Sequence, residues 1–116
     1  MINLIKAQHK HFNILYTGKP RHLTKEEKVF YHAAFVEEAL EYLEAETLED
    51  EYDAILDLMV FTMGAMLRHG FKPEGLVAVV EANLKKTVGP QKKRGGFELD
   101  LVKPEGWTPP NLKAYL

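Results

Sequence analysis

Cysteine is absent from the chain, tryptophan occurs once, and neither sign of charge dominates, the formal net charge being -2 at pH 7. Without cysteine there can be no disulfides, thiolate metal sites or cysteine nucleophiles. The absence also fits a reducing compartment, with the cytoplasm as the expectation. The balanced charge supplies no global basic field, so binding to nucleic acid is not expected. A secretory leader is not expected either, because the first fifteen residues lack a basic start, a continuous apolar centre and a small-residue cleavage site. The longest apolar run, from Ala54 to Leu67, is shorter than the ~20 residues that span a bilayer and carries Asp57. It reads as a core helix rather than a membrane span.

The 116 residues are expected to form a single domain, 1–116, whose core is modest enough that pairing with a second copy would enlarge it usefully. Irregular apolar spacing from Ile2 to Leu15 predicts a first helix, broken by Thr17-Gly18-Lys19-Pro20. His9 and His11 lie two apart and share no helical face, so they read as solvated or edge positions rather than as metal ligands. Thr24 with Glu27 three residues on predicts a capping box and a helix to about Ala45. Its apolar stripe is expected at Val29, Val36, Ala39, Leu40 and Leu43, with Glu37, Glu38, Glu41 and Glu44 on the other side. A short acidic link, with Thr47 or Asp50 as cap, leads to a helix ending at His69-Gly70. Pro73 opens a fourth helix that should end before Gly89-Pro90. The tail is too rich in proline for regular structure. The fold class is therefore all-α, a bundle of four to five helices with an irregular Pro-rich C-terminal tail.

The residues that bear chemistry are carboxylates. Glu38 and Glu41, and separately Asp53 and Asp57, are spaced to share a helical face. Two such helices side by side would gather four acids into one pocket. Oxygen donors without histidine or cysteine suit Mg²⁺, with Mn²⁺ as a substitute, far better than zinc. Crowded carboxylates repel, and a cation relieves the repulsion. Asp57 is the most telling member, because an unpaired charge inside an apolar helix is costly. Gly64 reads as a helix-packing position, and Trp107 as an anchor for the tail in preference to a base-stacking residue.

In this order of motifs the chain resembles the all-α nucleoside triphosphate pyrophosphohydrolases, the superfamily of MazG, the dimeric dUTPases and phosphoribosyl-ATP pyrophosphohydrolase. The resemblance rests on Glu37-Glu38-x-x-Glu41, on the segment from Asp53 through Asp57 to Gly64-Ala65, on Asn83 to Lys86, and on Lys103-Pro104-Glu105-Gly106-Trp107 with its Pro-Pro. It covers roughly Phe35 to the C-terminus. The superfamily usually carries Glu-x-x-Asp on its second acidic helix, and Ala54 stands here where that glutamate would be. The resemblance implies Mg²⁺ held by Glu38, Glu41 and Asp57 with Asp53 assisting, and water oriented or deprotonated by Glu37 or Glu38. It also implies nucleotide contacts from Asn83, Lys86 and Lys103. The activity implied is cleavage of a nucleoside or deoxynucleoside triphosphate to the monophosphate and pyrophosphate. The alternatives are phosphoribosyl-ATP as substrate, or a non-catalytic nucleotide-binding helical module. A homodimer or dimer of dimers is implied as well.

Overall fold

The structure is a computed structural model that describes residues 1–116. Contacts divide the chain into two compact units, Met1–Lys72 and Pro73–Leu116, and each is built on its own logic.

The first unit holds α1 (Ile2–His11), α2 (Lys25–Glu44) and α3 (Leu48–His69). Helix α1 ends four residues earlier than its apolar spacing suggests, because Asn13 takes a left-handed conformation, φ 61°, which asparagine tolerates better than most residues. The capping box of α2 forms as expected, with Thr24 Oγ1 accepting from the Glu27 amide at 3.1 Å and Glu27 Oε1 accepting from the Thr24 amide at 3.3 Å. Of the two candidate caps for α3, Thr47 is used, its Oγ1 accepting from the Asp50 amide at 3.1 Å. Gly70 closes α3 in the left-handed region at φ 76°, and the amides of Gly70 and Phe71 satisfy the Leu67 and Met66 carbonyls. With so short a link, α2 and α3 fold back on each other, and α1 packs on α3.

The faces that meet differ from the apolar stripe read off the sequence. The buried positions of α2 are Ala34 and Glu38, and the inner face runs Glu27, Tyr31, Ala34, Glu38 and Glu41, the i, i+4, i+7, i+11 progression of one helical side. Val29, Val36, Leu40 and Leu43 all point to solvent, Leu43 with 78% of its surface exposed. One acid of α2, Glu38, is thus turned inward, while the aliphatic residues point outward. Helix α3 is likewise open on one side, with Leu48, Tyr52 and Ile55 exposed, while Ala54, Gly64 and Leu67 are buried.

The second unit starts with α4 (Gly75–Asn83), continues through a short antiparallel ladder of β1 (Thr87–Val88) and β2 (Leu101–Val102), and contains 3-10 turns at Lys92–Arg94 and Leu112–Tyr115. Helix α4 stops well before Gly89. The Ala82 carbonyl, which a continuing helix would offer to the Lys86 amide, accepts instead from Trp107 Nε1 at 2.7 Å, and the Lys86 amide turns to Asn83. The ladder is too short to leave an alternating pattern in the sequence. A bond from the Gln91 side chain to the Leu101 carbonyl and an Arg94–Asp100 ion pair at 2.7 Å support it.

Candidate metal centre

On α2, one donor atom from each of the exposed Glu37 and Glu41 and the buried Glu38 lies within 4.8 Å of the others. Residues 37 and 38 are consecutive and 41 is one turn on, so the helix itself brings the three together. Glu38 is the buried member, 8% exposed, and its Oε2 has no hydrogen-bond partner. Burial first, then the Glu41 carboxyl, then the charges of Asp57 and Glu37 push the Glu38 carboxyl up to about 7. Asp57, half-buried on α3, is raised in the same direction by burial and by the charges of Asp53 and Glu41.

All five candidate acids therefore belong to one electrostatic group, although the tight cluster is made by α2 alone. Asp53 is exposed. Ala54 is 1% exposed and packs in the hairpin core, at the position where the superfamily pattern has glutamate. An orphaned buried oxygen amid close carboxylates, with oxygen donors only, fits a hard divalent cation. Among these acids the structure supplies no cationic side chain as a substitute: the ion pairs of the first unit, Arg21 and Arg68 with Glu27, lie at the other end of the hairpin.

That second cluster was not legible in the sequence. Arg68 donates from Nη2 and Nε to Glu27 Oε2 at 2.7 and 3.2 Å, and from Nη1 to the Ile14 carbonyl at 2.6 Å. Arg21 Nε donates to the Arg68 carbonyl at 2.9 Å. Beside them His9 is 5% exposed, which corrects its reading as a solvated position. It sits against Gly64, the one inner-face residue of α3 with no side chain to obstruct it. Burial, then the Arg68 charge, holds its pKa below the ordinary value, which favours the neutral imidazole. The signal in the sequence is Gly64, whose role as a packing position agrees with the close approach of His9.

In the second unit Asn83 ends α4, and Lys86 and Lys103 both approach Trp107, with Nζ 4.9 and 5.1 Å from the ring centroid. The Trp107–Ala82 bond makes the tryptophan an anchor, as its sequence context suggested.

Compared with known proteins, the chain matches the family model described as phosphoribosyl-ATP pyrophosphohydrolase over residues 5–83. The match spans α1 to α4 and both acidic helices, starts earlier than the motifs alone indicated, and ends before Lys86, Lys103 and Trp107. No curated protein matches the chain.

Proposed function

The chain belongs to the phosphoribosyl-ATP pyrophosphohydrolase family, within the all-α NTP pyrophosphohydrolase superfamily, and from that premise we propose that it hydrolyses phosphoribosyl-ATP between the α- and β-phosphates, releasing pyrophosphate. The family match supports phosphoribosyl-ATP, the alternative substrate, better than a generic nucleoside triphosphate. The observation that carries the reading is the buried Glu38 carboxyl, whose Oε2 has no hydrogen-bond partner, within the Glu37–Glu38–Glu41 cluster.

Glu38, Glu41 and Asp57, with Asp53 assisting, are the residues that would hold Mg²⁺ or Mn²⁺. When bound, such an ion neutralises phosphate charge and makes the phosphorus more electrophilic. Glu37 is exposed beside the buried Glu38, so it is free to face a water, orient it and accept its proton as the oxygen attacks phosphorus. The bond from phosphorus to the bridging oxygen breaks, pyrophosphate leaves, and the proton passes from the Glu37 carboxylate to solvent. Asn83, Lys86 and Lys103 are the proposed contacts for the substrate's anionic groups. The helices of the first unit contribute by holding its acids in place, since most catalysis of phosphoryl transfer originates in positioning and charge stabilisation.

A second copy is the proposed partner. Its support is the exposed aliphatic side of α2 and the exposed Leu48, Tyr52 and Ile55 of α3, set against only five buried hydrophobic residues in the chain. Light scattering on the purified protein should return two or four times 13.3 kDa, and a mass of 13.3 kDa would remove the second copy. No helix is long and apolar enough to cross a membrane.

The test of function is a pyrophosphate-release assay on phosphoribosyl-ATP and on a panel of ribo- and deoxyribonucleoside triphosphates, with Mg²⁺ and with Mn²⁺. Turnover is expected on phosphoribosyl-ATP ahead of the panel. Faster turnover of a triphosphate would move the substrate assignment, and silence on every compound would leave a nucleotide-binding module.

A further inference from the structure

Helix α1 is seated on α3 by very little. Its buried residues are Ile5 and His9, four apart and so on one side of the helix. Its 10 residues are too few to hold a helix in water without that seat. The chain beyond α1 is tied separately, since Arg68 Nη1 donates to the Ile14 carbonyl at 2.6 Å, and Asn13, at φ 61°, makes the bend between that tie and the helix. Docking of α1 therefore turns on Ile5 and on one imidazole.

His9 fills the space over Gly64, where the Tyr31 hydroxyl also arrives. The ring is 5% exposed, and its Nδ1 is buried with no hydrogen-bond partner. A neutral imidazole can keep its single proton on Nε2. An imidazolium carries a second proton on Nδ1, and here that N–H would be buried without an acceptor. None of the surrounding groups can take up the added charge. From α3 comes Arg68, itself a cation. From α2 come Tyr31, whose hydroxyl is kept protonated by burial, and Glu27, whose carboxylate already accepts from Arg68 at 2.7 and 3.2 Å and lies 3.7 Å from Arg21, the cation of the segment before α2. The ionisable side chains of α1 itself, Lys6, Lys10 and His11, are exposed and bear no negative charge.

We propose that His9 is an acid-operated latch: a proton taken from solvent by its imidazole releases α1 from α3 and leaves the α2–α3 hairpin folded. The latch is independent of the pyrophosphohydrolase reading, because it uses none of the proposed metal or substrate residues. Burial and the Arg68 charge lower the His9 pKa on folding, so docking of α1 is whole above the ordinary histidine value of 6.5 and is lost as pH falls below it. The loss is about tenfold per pH unit until the depressed value is passed. The Glu38 carboxyl, raised on folding, acts in the opposite direction. A melting temperature mixes the two, so α1 has to be followed by itself.

Amide hydrogen exchange of the full chain, corrected for the intrinsic effect of pH on exchange, reads each helix separately. Protection over Ile2–His11 should be at least ~10-fold lower at pH 5 than at pH 8, while α2 and α3 keep or gain protection. In the imidazole NMR spectrum His9 should titrate below the ordinary histidine value, with the same midpoint as the loss of α1 protection. His9→Gln, neutral at both pH values, should hold α1 protection within ~3-fold between them. Equal protection of α1 at the two pH values overturns the proposal, as does a pH-dependent loss that persists in His9→Gln. A loss shared equally by all three helices also overturns it, because that is acid unfolding of the whole unit. If glutamine fails to seat α1 even at pH 8, the parent protein decides: coincident midpoints for the His9 ring and for α1 protection uphold the latch, and separate midpoints overturn it.

Discussion

The two ends of the α2–α3 hairpin present opposite solutions to a carboxylate on the inner face of α2. At the end near Thr24, Glu27 meets Arg68 at 2.7 Å and Arg21 at 3.7 Å. Its carboxyl is held below the ordinary range, chiefly by the Arg68 hydrogen bonds. At the end near Thr47, Glu38 meets only other acids and its carboxyl is pushed up to about 7. Both glutamates lie on the same inner face of α2, three helical turns apart, so helix propensity and burial alone do not separate them. What separates them is the facing side chain on α3, arginine at 68 and aspartate at 57. The first end is complete as a piece of protein structure, and the second has no positive charge from Arg21 or Arg68, the cations paired at the first. A charge deficit inside a packed hairpin is a feature to expect of a binding centre, because it lowers stability in the absence of ligand.

The largest expected effect breaks the acidic end. Glu38→Gln should reduce pyrophosphate release by about 10²-fold or more, as should Asp57→Asn. Without metal at pH 8, Glu38→Gln should melt above the parent protein, because it removes a buried charge that has no partner. Lower activity combined with higher stability would identify a functional rather than a structural acid. A drop in both would place Glu38 in the core of the fold, and undiminished turnover by Asp57→Asn would remove it from the centre.

Next in size is the paired end. Arg68→Met should destabilise by about 1–3 kcal/mol, less than for a fully buried pair since both partners keep some solvent contact, and it also strips the Ile14 carbonyl of its donor. Denaturant unfolding measures it. A change below a few tenths of a kcal/mol would mean that the pair contributes only as a surface ion pair does.

A third prediction uses pH to set the two ends against each other. The Glu38 carboxyl is raised from 4.5 to about 7 on folding, so the contribution of the acidic end is whole below pH 4.5 and is lost as pH rises toward 7. Glu27 is lowered on folding, so its contribution is present above the ordinary glutamate range and is lost as pH falls through its depressed value. The metal-free protein should therefore lose melting temperature between pH 5 and pH 8. Saturating Mg²⁺ should restore a few degrees at pH 8 and much less at pH 5, where protons already neutralise the cluster. Equal Mg²⁺ shifts at the two pH values would place the ion elsewhere.

The sequence revealed the helices and the acids but not which way they face. Thr24 with Glu27, Thr47, and Gly70 carry local signals that are decided within a few residues, and those boundaries appear in the structure. Helix direction is a tertiary matter. Reading Val29, Val36, Leu40 and Leu43 as the core side of α2 assumed that aliphatic residues face their own chain, and their exposure reverses it. The assumption fails here because the side of α2 that meets α3 carries Glu27, Tyr31 and Glu38, while its aliphatic side is left exposed. The position of Glu38 was identified by its spacing from Glu41, but its burial depends on α3 and could not be read locally. The early end of α4 depends on Trp107, remote in sequence, which takes the Ala82 carbonyl. The pairing of Glu27 with Arg68 likewise joins residues from different helices with no local mark on either.

The smallest expected effect probes the packing beside the paired end, at Gly64. A Cβ there would lie 3.1 Å from His9 Nε2 and 3.7 Å from the Tyr31 hydroxyl, closer to the imidazole than side chains ordinarily approach. Replacing a mid-helix glycine by alanine gains about 0.5–1 kcal/mol of helix stability. Crowding in a packed interior costs about 1–3 kcal/mol. His9 cannot move away freely, being buried between α1 and α3, so the cost should win and Gly64→Ala should destabilise by about 1 kcal/mol. The double variant with His9→Ala removes the obstruction, and the helix gain should then emerge as a coupling of opposite sign between the two sites. Additive losses would show that α1 is not seated on α3 through this histidine. The acidic end should be indifferent to the change: the Mg²⁺-dependent shift in melting temperature at pH 8 should persist in Gly64→Ala, because the glycine serves the end of the hairpin whose charges are already matched.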